Sequence, residues 1–211
     1  MAKSLQRFVL DTLRSPLLDE INFQFGNLRV YPQGLRRDVA RLVAHRHIEV
    51  TSDPTRVYGP GATVDGGCFV VDTPRGQRHP LFVNPRWTFD RGGHPYVRPL
   101  SEYERAELCG TIVHEATHAL HDYQRLGRIR PTAAEGAAYM AGAIARRLFG
   151  PRPAPAVSNP TLNGITYSLH LADRYLAADR HSRYLIPTHD VVELERRVSA
   201  GSENRYIFNG I

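Results

Sequence analysis

Apolar and polar positions along the chain divide it into an early part with strand-like alternation and a later part with helical spacing. Leu5, Phe8, Val9 and Leu13 recur at helical intervals, so residues 4–14 predict a short opening helix that Pro16 ends or follows. Ile21-Asn22-Phe23-Gln24-Phe25 alternates as a half-buried strand does. Gly26-Asn27 is a turn signal, and Leu28-Arg29-Val30-Tyr31 can return as a second strand. Leu35, Val39, Leu42 and Val43 fall on one face of a helix over 35–47, and Ile48-Glu49-Val50-Thr51 reads as a strand. A Pro-, Gly- and Asp-rich loop is expected over 52–66. Cys68–Val71 and Leu81–Val83 are apolar runs of strand length, joined as a hairpin through the turn residues Asp72–Gly76. Residues 84–99, rich in Gly and Pro, are expected to be an irregular loop that can carry substrate contacts.

From residue 100 the spacing becomes helical. Ser101 and Glu104 form a capping-box pair, which predicts a long helix reaching about residue 124. Gly127 and Pro131 break it. Thr132 then caps a second, Ala-rich helix over 133–149, closed by Gly150. A Pro-rich bend spans Pro151–Pro160, a third helix is expected over 162–181, and a fourth from Pro187-Thr188 to Ala200-Gly201. Arg205-Tyr206-Ile207-Phe208 reads as a last strand. The order, a small mixed sheet first and helices later, predicts an α+β fold, sheet-rich over 20–99 and helical over 100–200. With no visible boundary or repeat, residues 1–211 are read as one domain.

Composition narrows the function classes. No apolar run reaches 18 residues, so no membrane-spanning helix is expected. The first eleven residues carry charges within their apolar stretch and no cleavage-site pattern, which argues for a cytoplasmic product of synthesis or one exported by a dedicated machine. Two cysteines are too few for a disulfide framework. The net charge is +6, yet Lys3 is the single lysine among 27 basic residues. The arginines are scattered, which suits a solvated surface better than a nucleic-acid stripe.

The chemistry concentrates in the long helix, at His114-Glu115-Ala116-Thr117-His118. Histidines at i and i+4 are displaced by roughly 40° around a helix and about 6 Å along it, so both imidazoles can reach one ion. Glu115 projects roughly 100° from His114, where a carboxylate can serve as a base without being a ligand. Apolar neighbours Ile112, Val113, Ala116, Ala119 and Leu120 bury this face, and burying two His and a Glu without a partner is costly.

A catalytic zinc takes three protein ligands and keeps one place for water. His121 and Asp122 lie a further turn along. Gln124 stands where an extended His-Glu-x-x-His-x-x-Gly-x-x-His pattern needs its third histidine, and His121 replaces its glycine. Cys68 is a rival, since an upstream cysteine completes the metal site in peptide deformylases. Glu135 is preferred. Antiparallel helices would bring it level with His118, and Gly136, Ala137 and Ala138 let the helices approach closely. Thr132-Ala133-Ala134-Glu135 is itself a capping box, however, so capping and ligation compete for the same carboxylate.

His114-Glu115-x-x-His118 followed by Glu135 resembles the gluzincin type of zincin metallopeptidase, over residues 105–140. The resemblance implies a zincin-like fold with an edge strand that pairs with an extended substrate. It also implies Zn²⁺ on His114, His118 and Glu135, Glu115 as general base, and a peptide or protein substrate. The chain departs from some members in having Tyr139 where an Asp supports the metal. Tyr139, or the Tyr167–His170 pair, is then a candidate for stabilising the oxyanion. Two rival readings remain, a binding protein that uses the fold without catalysis and a hydrolase of a non-peptide amide.

Overall fold

The computed structural model describes residues 2–58, 67–70, 77–124, 126, 129–151, 163–179 and 184–201. It is an α+β structure with small sheets and a helical C-terminal half. Helix α1, Leu5–Leu13, starts on the Ser4 hydroxyl, which accepts the Arg7 N–H. Strands β1 (Phe23–Phe25) and β2 (Leu28–Val30) form the predicted hairpin about Gly26, whose φ is +59°. The stretch expected as one helix is a π-helical Gly34–Val39 continuing into α2, Ala40–Ala44. A side chain on Gly34 would collide with Leu120, so glycine lets this segment lie against the long helix.

Strand β3 (Ile48–Thr51) forms as expected. Part of the predicted loop after it is instead a short helix α3, Thr55–Tyr58. Strands β4 (Cys68–Phe69) and β5 (His79–Phe82) pair antiparallel, with Cys68 opposite Phe82, while β3 joins β5 in parallel. The turn predicted between β4 and β5 lies outside the described residues. The stretch expected to be an irregular loop is ordered: a 3₁₀ turn at Pro85–Trp87 leads into a hairpin of β6 (Thr88–Arg91) and β7 (His94–Val97). Gly92 and Gly93, at φ +64° and +78°, make its turn. In place of one mixed sheet there are two three-stranded mixed sheets and this hairpin.

The long helix α4, Glu102–Tyr123, forms with its capping box intact. Ser101 accepts the Glu104 N–H and Glu104 accepts the Ser101 N–H. Buried side chains run along it from Ala106 to His121, so it is the axis of the core. Helix α5, Pro131–Phe149, packs against it. At the crossing, a methyl group on Gly142 would lie 2.8 Å from the Gly110 carbonyl oxygen, and one on Gly110 would lie 2.9 Å from that of Gly142. The backbones touch there because neither residue has a side chain. Phe25 packs on Gly136 in the same way from the sheet side. Helices α6 (Gly164–Ala177) and α7 (Thr188–Gly201) cover the outer face of α5. Strand β8, Tyr184–Leu185, which the sequence pattern does not reveal, adds in parallel to β1. The predicted Pro-rich bend and the terminal strand at 205–208 lie outside the described residues. Among the described residues no helix is long and apolar enough to cross a membrane.

Candidate metal centre

Helix α4 places His114 and His118 one turn apart with their Nε2 atoms 3.2 Å from each other. Helix α5 brings Glu135 across. One carboxylate oxygen lies 3.4 Å from His114 Nε2 and the other 3.3 Å from His118 Nε2. The capping role considered for Glu135 is not taken up. Pro131 fills the first helical position, as proline favours, and Arg130 becomes the N-cap. This moves Thr132 inside the helix, where its hydroxyl donates to Glu195. The Glu135 carboxylate is left to face the histidines.

The separations suit a small tetrahedral cation. Metal–ligand bonds of about 2.0–2.1 Å give a tetrahedron with edges of roughly 3.3–3.4 Å. The three side chains present one edge of 3.2 Å between nitrogens and nearest oxygens at 3.3 and 3.4 Å. Glu135 is 7% exposed and His118 3%. A buried carboxylate needs a compensating positive charge. Burial would raise the Glu135 pKa, but the His118 and His114 imidazoles outweigh it and hold the group well below the usual carboxylate range. Burial disfavours charge on His114, yet Glu115 and Glu135 overcome it and raise its pKa. The pocket is therefore built around positive charge, which a divalent cation would supply in place of protons.

Glu115 completes a group, His114–Glu115–His118, whose ligand atoms all lie within 4.8 Å of one another, close enough to hold a metal. Two carboxylates thus compete as third donor. Their surroundings differ. Glu135 faces both Nε2 atoms, whereas Glu115 lies toward the β4 backbone, whose Phe69 amide lowers its pKa. Burial raises the Glu115 pKa, His114 and His118 oppose it, and Glu135 adds to it. A carboxyl whose pKa is pushed up by burial is suited to taking and returning a proton. Gly67 makes room for it, since a methyl there would lie 3.0 Å from Glu115 Oε1 and 2.6 Å from Thr111 Cγ2.

No family model matches the chain, and no curated protein or solved structure does. What the site can do is therefore read from its own geometry.

His114, Glu115 and Glu135 open onto a cleft of about 480 Å³ between α4, α5, α6 and the 3₁₀ turn before β6. Tyr139 lines it, one turn past Glu135, with its ring 4.8 Å from that of His114 and edge-on at 82°. Burial, then Glu135 and Glu115, push its phenol up to about 12, so it stays a hydrogen-bond donor at neutral pH. Tyr167 is engaged elsewhere: its hydroxyl donates to the buried Asp190 at 2.8 Å. Neither Tyr167 nor His170 lines the cleft. Cys68 is buried in β4 and does not line the cleft either; its neighbour Gly67 does. His121 is 2% exposed, and burial followed by His118 lowers its pKa to about 3, so it is a neutral core residue.

Arg86 and Trp87, from the 84–99 stretch expected to carry substrate contacts, line the cleft together with Glu107 and Arg146, which sequence reasoning missed. The signal available was partial. Glu107 lies two helical turns before His114 on the same face of α4, and the glycine between them, Gly110, marks a close approach.

Proposed function

We propose that the protein is a zinc-dependent metallohydrolase of zincin type that cleaves peptide bonds, with His114, His118 and Glu135 as ligands and Glu115 as general base. The observation that carries this reading is the set of 3.2–3.4 Å separations between the two imidazole nitrogens and the Glu135 carboxylate, with the Glu115 carboxyl buried beside them. Two nitrogens and one carboxylate are a familiar donor set for a catalytic zinc. Bound there, the ion would supply an acidified water and polarise the scissile carbonyl.

The remaining work falls to side chains of this chain. Glu115, buried beside the histidines, accepts a proton and returns it to the departing amine. Tyr139, protonated and packed against His114, would donate to a developing oxyanion. The cleft has the size of a site for a short stretch of substrate.

The test has two arms. Zinc content measured by elemental analysis should be about one per chain and should fall sharply in Glu135→Ala. Unchanged zinc in that variant would return Glu135 to a packing role. Glu115→Gln should keep its zinc and lose hydrolysis of peptide substrates, and undiminished turnover in it would refute the general-base assignment.

A further inference from the structure

The far end of the cleft holds an excess of positive charge. Arg146 Nη2 lies 2.6 Å from Glu107 Oε1, and Arg86 Nη2 lies 3.6 Å from Glu107 Oε2. One carboxylate thus faces two guanidinium groups. Arg146 donates one hydrogen bond to Glu107, and the Arg86 pair is beyond hydrogen-bond reach. Each guanidinium carries five N–H donors, so most donors at this end have no acceptor among the described residues.

Arg146 is held by packing, and the half-exposed Arg86 is steadied by a ring contact. The Arg146 stem lies across Gly110, occupying the space a side chain there would need. The Arg86 guanidinium lies over the ring of Trp87 at 4.1 Å, and Trp87 itself is 2% exposed. Pre-organised guanidinium groups are the usual partners of carboxylates, which they bind in a planar, two-pronged manner.

Position fixes what they can read. The Arg146 guanidinium meets Glu107, which precedes His114 by seven residues, about 10 Å along α4. An extended peptide advances roughly 3.3–3.6 Å per residue. Resting on the metallopeptidase reading above, we propose that Arg86 and Arg146 form a subsite for a substrate carboxylate within about three residues of the scissile bond. Glu107 occupies the subsite in the free protein and shares its two cations with the incoming anion. The carboxylate can come from an acidic side chain or from the C-terminus of the peptide.

Trp87 is the single tryptophan of the chain, so its fluorescence reports on this end of the cleft without any need for turnover. The experiment titrates zinc-loaded Glu115→Gln protein with paired peptides. One pair, amidated at the C-terminus, differs by Glu against Gln near the centre. The other is a neutral peptide as free acid and as amide. The acidic member of at least one pair should bind roughly ten- to a hundredfold more tightly. Which pair shows the gap tells an internal side chain from a C-terminus. Arg146→Met, which keeps the stem over Gly110, should close the gap. Glu107→Gln should widen it by removing the competing carboxylate, a change that a merely structural arginine pair would not produce. Equal affinities within both pairs overturn the proposal, as does a gap that Arg146→Met and Arg86→Met both leave intact. A gap closed by Arg146→Met, alongside failure of the unmodified protein to cleave any of these peptides, supports the subsite and brings down the hydrolase reading instead.

Discussion

Gly142→Ala tests whether the helix crossing sets the metal site. A methyl at residue 142 would meet the Gly110 carbonyl oxygen at 2.8 Å and His114 Cβ at 3.2 Å. Ordinary carbon–oxygen contacts are about 3.3–3.6 Å, so α4 and α5 must part by roughly 0.5 Å or more. Neither neighbour can give way as a flexible side chain would, because one is backbone and the other is the root of a proposed ligand. Overpacking of this kind costs about 1–3 kcal/mol. Alanine is favoured over glycine inside a helix by about 0.8–1.0 kcal/mol, which offsets part of the cost. The net expectation is a loss of about 1 kcal/mol in the metal-free protein, read by urea denaturation. The displacement also separates Glu135 from the histidines by an amount comparable to the tolerance of a pre-organised site, about 0.5 Å. Zinc affinity, measured by competition with a chromogenic chelator, should fall by tenfold or more. Gly110→Ala should behave similarly, and the double variant should cost less than the two losses added, since one parting of the helices relieves both clashes. A Gly142→Ala protein that is more stable than the original, with unchanged zinc affinity, would show that the crossing has slack and that helix propensity alone decides.

Gly67→Ala should lower kcat while leaving zinc content unchanged, because the new methyl would press on Glu115 and Thr111 and not on the three donors; equal loss of zinc would place the damage elsewhere. Zinc should raise the melting temperature of the unmodified protein in a concentration-dependent way and do so much less in Glu135→Ala, as ligand linkage requires. Acid should weaken the start of α4. Arg98 first, then Ser101, lower the Glu104 pKa from 4.5 to about 2, so this contribution is present above the ordinary carboxylate pKa and is lost as the pH falls through about 2. Glu104→Gln should flatten that part of the acid-unfolding curve; an unchanged curve would mean that other carboxylates govern it.

What could be read in the sequence was mostly local. The capping box at Ser101 and Glu104 lies within four residues and encloses its own hydrogen bonds, so the start of α4 is visible without any tertiary information. The same local pattern misleads at Thr132 and Glu135, where Pro131 begins the helix two residues early and takes the box out of register. The β6–β7 hairpin was legible in principle, since Gly92-Gly93 stands between Thr88-Phe89 and Tyr96-Val97, but two glycines and three prolines over 84–99 also describe a loop. Strand β8 was not legible, because two residues acquire strand geometry only through their partner β1, some 160 positions away. In the site, His114, Glu115 and His118 were set by helical spacing alone. Glu135 needed the crossing at Gly110 and Gly142. The charged end of the cleft needed the 3₁₀ turn at Pro85–Trp87 to come alongside α4, which no periodicity announces.

The smoothness of α5 has a mechanical consequence. Its face toward α4 is made largely of alanine and glycine, a surface with low relief and few knobs to resist sliding or rolling. A roll of one residue, roughly 100°, would swing Glu135 away from the histidines. Two points would oppose it: the notch at Gly110 and Gly142, and the cation proposed to bind between His114, His118 and Glu135. The ion would then act as a bolt through a helical hairpin as well as a centre of chemistry. Removing it should loosen amide protection in α5 more than in α4, whose buried face is held from several sides.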